Sequence, residues 1–74
     1  MKLAYTKSDN FYFIILTGPK NQLQDCYNWC KEQFGVCNKN RWVYEELLSG
    51  GDPEVSSIKF VKVENCNWFL LRWA

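Results

Sequence analysis

The chain contains no histidine. Histidine is the usual general base near neutral pH and the commonest metal ligand in proteins, so its absence removes the ordinary starting point for hydrolytic and metal-dependent chemistry. No serine or cysteine has an evident partner base, and the lysines lie in polar segments. The composition therefore predicts a protein that is not an enzyme and that carries no cofactor.

Clustered charge of one sign is also absent from the sequence. Nine Lys or Arg residues stand against eight Asp or Glu residues, for a net charge of +1, and both signs are spread along the chain. Nucleic-acid binding draws much of its affinity from basic side chains that neutralise phosphates. This balance argues against a nucleic-acid partner.

The sequence has no long hydrophobic run. The longest, residues 11–16, is far shorter than the roughly 18 residues that a membrane-spanning helix needs, and the first nine residues lack the apolar core of a signal peptide. We therefore expect a cytoplasmic protein without a membrane partner, in which the four cysteines stay as thiols.

The cysteine spacing fits neither a zinc site nor a redox motif. Cys26 and Cys30 are separated by three residues, Cys37 follows seven residues later, and Cys66 stands alone. Structural zinc sites present cysteine pairs on turns, and thioredoxin-like motifs have two intervening residues. We predict no metal site, with Cys26 and Cys30 acting as small buried hydrophobic residues.

Aromatic residues are abundant. Phe, Tyr and Trp make up 18% of the 74 residues, and each can bury roughly 150 to 250 Å². A chain of this length is close to the size at which one core only just offsets the entropy of ordering the backbone. The aromatic content predicts a dense core in a single compact domain that spans residues 1–74.

Four segments have strand-like patterns. Residues 11–16 are all aromatic or aliphatic and predict a central strand, with both faces apolar, so that the sheet is either covered on both sides or leaves one side exposed. Residues 3–6 are its expected hairpin partner. Residues 42–44 favour a strand over a short helix, residues 49–54 predict a turn, and residues 57–62 alternate as an antiparallel strand should.

Two segments have helical periodicity. Leu23, Tyr27, Cys30 and Phe34 recur at helical spacing between Pro19 and Gly35, which predicts an amphipathic helix over about 21–34. In the C-terminal segment, a helix over about 64–73 places four apolar residues in one stripe, namely Cys66, Phe69, Leu70 and Trp73. A strand would instead bury the cation Arg72. The predicted fold is therefore α+β, a small antiparallel sheet of three to four strands packed by one long and one short C-terminal helix.

Several large residues fall outside these stripes. Trp68 and Leu71 point away from the C-terminal stripe, and Trp29 lies at or beyond the edge of the other one. They either complete the core or form a partner-binding surface with Arg72, since Trp and Arg are over-represented among residues that dominate interface energies. The same surface could join two copies of the chain as a homodimer.

An alternative site lies in residues 38–42. Lys39, Arg41 and Trp42 supply two cations and one aromatic ring, the ingredients for stacking an unpaired base and contacting phosphate. Glu45 and Glu46 follow directly and offset the positive charge. Single-stranded nucleic-acid binding is therefore the less favoured hypothesis.

The end of the chain resembles the termini of small uncharacterised proteins of tailed bacteriophages, in particular those that infect cyanobacteria. The matching residues are Ile58-Lys-Phe60, Glu64 and the run 67–73, which closes on Leu-Arg-Trp. Asn65 and Cys66 depart from the acidic residue and alanine that are more usual there. The resemblance implies a phage accessory protein without an enzymatic assignment, and it says nothing about the target. Our hypothesis is that such a protein acts in the host cytoplasm on a host macromolecule, with an unidentified host protein as the expected partner.

Overall fold

The computed structural model of the protein describes residues 1–48, 50 and 53–74. Its elements are β1 (Lys2–Lys7), β2 (Tyr12–Gly18), α1 (Lys20–Phe34), β3 (Trp42–Leu48), β4 (Glu54–Phe60) and α2 (Val63–Trp73). The four strands form one antiparallel sheet in the order β1-β2-β4-β3, which confirms the predicted α+β fold. The predicted turn over 49–54 lies for the most part outside the described residues.

The strand register places β2 and β4 at the centre of the sheet. Lys7, Tyr12, Phe60 and Trp42 lie side by side in one row across the four strands. The predicted strand over 11–16 begins one residue later and extends to Gly18, and the segment that starts at Trp42 is a strand as favoured, but it continues to Leu48.

Both helices pack on the same face of the sheet. Five of the side chains that β2, β3 and β4 direct to this face are fully buried against α1 and α2: Ile14, Leu16, Trp42, Ile58 and Phe60. Because successive side chains of a strand point to opposite faces, Phe13 and Ile15 lie on the other face. They are only half-buried, and neither belongs to the core. We refer to this second side as the helix-free face.

The apolar stripe of α1 fits its predicted helix. Leu23, Cys26, Cys30 and Phe34 are all buried in the core. The helix ends where Gly35 takes a φ of +84°, and the Gly35 N–H donates to the carbonyl of Lys31 at 3.0 Å. A positive φ strains residues with a Cβ, so glycine suits this C-terminal cap.

The C-terminal segment is a helix and not a strand. Cys66 and Phe69 are buried, and Leu70 and Trp73 pack against the core beside them. Arg72 stays exposed, as the helical hypothesis required. Among the described residues, neither helix has the length and apolar character needed to cross a bilayer.

Phe69 and Leu71 provide a matched test of this packing within one helix. Phe69 is fully buried, whereas Leu71 is 80% exposed. We expect Phe69→Ala to lower the free energy of unfolding by about 3 to 5 kcal/mol, because it removes apolar contacts and leaves a cavity. Leu71→Ala should change it by less than about 0.5 kcal/mol. Urea titrations followed by far-UV circular dichroism measure both values, and equal losses would contradict the assigned orientation of α2.

Candidate partner-binding groove

The two helices form an apolar groove where they lie side by side. It has a volume of about 210 Å³ and is lined by Trp29 from α1 and by Trp68, Leu71 and Arg72 from α2. Each of these residues was singled out from the sequence as a partner-binding candidate. The structure brings all of them together at one surface, which we call the tryptophan groove.

Trp29 forms the floor of the tryptophan groove and links it to the core. Its ring is half-buried and lies 5.7 to 6.2 Å, between ring centroids, from Phe34, Phe69 and Trp73. All three contacts are edge-to-face, a favoured geometry for aromatic pairs. Trp29 therefore belongs partly to the core, and its contacts with core rings fix its orientation.

Trp68 forms one wall of the groove and is held in place although it is 51% exposed. Its ring stacks on Trp29 with a centroid distance of 6.4 Å and an interplanar angle of 27°. Its indole N–H donates to the side-chain oxygen of Gln33 at 3.2 Å. The exposed ring thus has a defined orientation without being part of the core.

Gln33 was not identified from the sequence. It lies four residues after Trp29 in α1, so both side chains are on the same helix face. The spacing alone could have indicated that Gln33 neighbours Trp29. It could not indicate the contact with Trp68, because the two residues are 35 positions apart.

Leu71 and Arg72 complete the opening of the groove. Leu71 is 80% exposed and lies one turn after Trp68, so its side chain extends the apolar surface. The Arg72 guanidinium lies over the Trp73 ring, 4.3 Å from its centroid, and it occupies the last turn of α2, where a cation is favoured by the helix dipole. The groove is therefore apolar with one positive charge at its rim.

The alternative nucleic-acid site is not assembled as the sequence suggested. Trp42 is fully buried, and its indole N–H donates to the carbonyl of Gly35 at 3.1 Å. Its ring packs between Tyr27 and Phe34 and cannot stack on a base. Lys39 and Arg41 remain exposed. The hypothesis that Lys39, Arg41 and Trp42 act together is therefore inconsistent with the structure.

Three of the four cysteines are core residues. Cys26, Cys30 and Cys66 are buried, whereas Cys37 is exposed and takes part in backbone contacts with Trp42 and Tyr44. In the described part of the chain, no group of three or more His, Cys, Asp or Glu residues is arranged to hold a metal ion. A hydrogen bond with Cys26 and then burial raise the pKa of the Cys30 thiol, and burial raises the pKa of Cys66.

No protein-family model matches the chain, and no curated protein or solved structure is significantly similar to it. The resemblance of the C-terminal segment to phage proteins therefore remains a prediction.

The buried thiols predict a loss of stability at alkaline pH. Because the pKa of Cys30 is raised above its ordinary value of 9.0 in the folded state, the unfolded chain releases this proton first as the pH rises. Stability should therefore be full below about pH 9 and fall above it. Urea titrations from pH 7 to 10.5 should show a shallower decline for Cys30→Ala than for wild type. Cys37→Ala, which changes an exposed thiol, should decline as wild type does, and identical slopes for all three proteins would contradict this cause.

Proposed function

We propose that the protein is a small non-enzymatic interaction module that binds a segment of a partner protein in the tryptophan groove. The observation that carries this proposal is the fixed orientation of Trp68, which is half-exposed yet stacked on Trp29 and hydrogen-bonded to Gln33. A large aromatic ring that is already ordered in the free protein is well suited to receive a ligand.

The energetics of association favour such an arrangement. Immobilising a flexible side chain at an interface costs about 0.5 to 1.5 kcal/mol, and for Trp68 much of that cost has been met by its contacts within the chain. Leu71, at 80% exposure, can gain about 1.5 to 3 kcal/mol if a partner covers it fully. Together they supply a rigid aromatic wall and an adjacent aliphatic surface.

The dimensions and charge of the groove define the chemistry of its partner. A volume of about 210 Å³ is below the roughly 300 to 1,000 Å³ typical of pockets for whole small-molecule ligands or cofactors. It suits one large apolar side chain. Arg72 at the rim can pair with a carboxylate, and its fork of N–H donors matches that group. The favoured partner is therefore a peptide segment that carries an apolar anchor residue close to an acidic group.

The resemblance of residues 58–73 to phage proteins supports a narrower proposal. An accessory protein of a tailed phage would meet its partner in the cytoplasm of the infected cell, so the peptide segment would belong to a host protein. The absence of an evident catalytic constellation in the sequence is in keeping with a protein that acts by binding.

A displayed library of random peptides, selected on the immobilised protein, tests this function. Enriched peptides should share an apolar residue near an acidic one. Isothermal titration with an enriched peptide should show that Trp68→Ala weakens binding about 30-fold or more, equivalent to about 2 kcal/mol. Arg72→Gln should weaken it less and reduce its dependence on salt. Val36→Ala, which removes an exposed apolar side chain outside the groove, should bind as wild type does.

Two results would contradict the proposal. One is an enriched peptide that binds Trp68→Ala as tightly as wild type. The other is a loss of several kcal/mol of stability in Trp68→Ala, which would assign the ring to the core. Sedimentation equilibrium distinguishes the homodimer, because a dimer that dissociates in Trp68→Ala would make a second copy of the chain the occupant of the groove.

A further inference from the structure

Two phenylalanines lie on the helix-free face, away from the tryptophan groove. Phe13 belongs to the central strand β2, and Phe11 immediately precedes that strand on the same side. Their ring centroids are 6.4 Å apart with an interplanar angle of 57°. Both rings are half-buried, and neither contributes to the core. They are therefore available to a ligand from one side.

A lysine accompanies both rings. Lys59 is the cross-strand partner of Phe13 on β4, and its amine lies 5.2 Å from the centroid of Phe11 and 5.9 Å from that of Phe13. The face thus combines two π surfaces with a positive charge close to both rings. A ligand with flat rings and nearby negative charge complements this arrangement.

The fold gathers other cations around the same end of the sheet. Lys7 is the last residue of β1 and lies in the same row as Phe60 and Trp42. Arg41, just before β3, lies next to this row, because its carbonyl accepts a hydrogen bond from the Val61 N–H at 3.0 Å. Lys7 lies in the row of side chains directed towards the helices, and Arg41 and Lys62 line a cavity with Gln33 and Phe34 of α1. Of the cations at this end, Lys59 is the one that lies against the rings of the helix-free face.

The opposite end of the sheet has the reverse balance. Strand β3 runs from the basic end to Glu45 and Glu46, and β4 begins there with Glu54. Lys2 and Lys20 are the cations of that end in the described chain. The nearly neutral net charge therefore conceals a separation of charge along the strands, which a partner can sense at distances of up to about a Debye length.

We propose that the helix-free face binds single-stranded nucleic acid, with unpaired bases stacked on Phe11 and Phe13 and a phosphate contacted by Lys59. Four-stranded sheets that expose aromatic rings bind unpaired bases in this way, because every base has a π face and a single strand can turn its bases outward. Duplexes hide those faces. This site differs from Lys39, Arg41 and Trp42 in its aromatic groups, and it does not depend on the function proposed for the groove.

Fluorescence anisotropy tests the site with labelled oligomers of about 12 nucleotides, as unmodified DNA, as RNA of the matching sequence, and as duplex. Single strands should bind, with an affinity that falls as salt is added by about 0.7 log units per log unit of salt for each phosphate contacted. The duplex should bind more weakly. The two single-stranded probes show whether DNA or RNA is the preferred source.

Variants locate the binding surface. Phe11→Leu and Phe13→Leu keep apolar bulk and remove the ring, and each should weaken binding at least about fivefold. Lys59→Gln should weaken binding and reduce the salt slope, whereas Lys20→Gln, which removes the same charge at the acidic end, should have little effect. Trp68→Ala should bind as wild type does, which separates this site from the groove. If Phe13→Leu fails to fold by circular dichroism, Phe11→Leu still tests the stacking, because Phe11 lies outside the strand.

Several outcomes would overturn the proposal. They are no binding of single strands at low salt, equal effects of Lys20→Gln and Lys59→Gln, undiminished binding by both Phe11→Leu and Phe13→Leu, or preference for the duplex. A dimer that buries the helix-free face, detected by sedimentation equilibrium and dissociated by Phe13→Leu, would also overturn it and assign the face to a second copy of the chain.

Discussion

Phe60 is the residue on which both helices converge. Its ring lies 5.3 Å from that of Phe34 in α1 and 5.5 Å from that of Phe69 in α2, between ring centroids. Phe60 itself is fixed at the centre of the sheet, because β4 pairs with β2 on one side and β3 on the other. Burial of these three rings contributes apolar area to the core. It also places the helices next to each other on one face.

The tryptophan groove follows from that convergence. Once Phe34 and Phe69 bring the helices together, Trp29 and Trp68 meet above them, and the indole of Trp68 reaches Gln33. The groove is therefore supported by the same aromatic contacts that stabilise the fold. A site built on packed helices holds its side chains more rigidly than one built on loops. This rigidity is the physical basis for proposing it as a binding surface.

Placing both helices on one face leaves the other face of the sheet without a covering layer from the described residues. Phe11 and Phe13 remain at its surface, and the amine of Lys59 lies close to both rings. The antiparallel register also aligns the start of β3 with the ends of β1 and β4, and this alignment collects cations that are far apart in the sequence. The two proposed surfaces thus have different chemistry, one apolar with a single cation and one aromatic within a basic end.

The sequence by itself determined the fold class, because helical and alternating periodicities are local signals. The stripes of Leu23 to Phe34 and of Cys66 to Trp73 predicted both helices to within one residue. The exclusion of Trp68 and Leu71 from a stripe left open whether they are exposed or complete the core. Only the tertiary structure decided how these surfaces are completed. The polar residues before Trp42 suggested that its ring is exposed and could stack on a base. The ring is buried instead, because β3 pairs with β4 beneath α1. Helix packing brings Trp68 to Gln33, and strand register brings Lys7, Arg41 and Lys59 to one end of the sheet. Both join residues that are distant in the sequence, and no local pattern specifies such contacts.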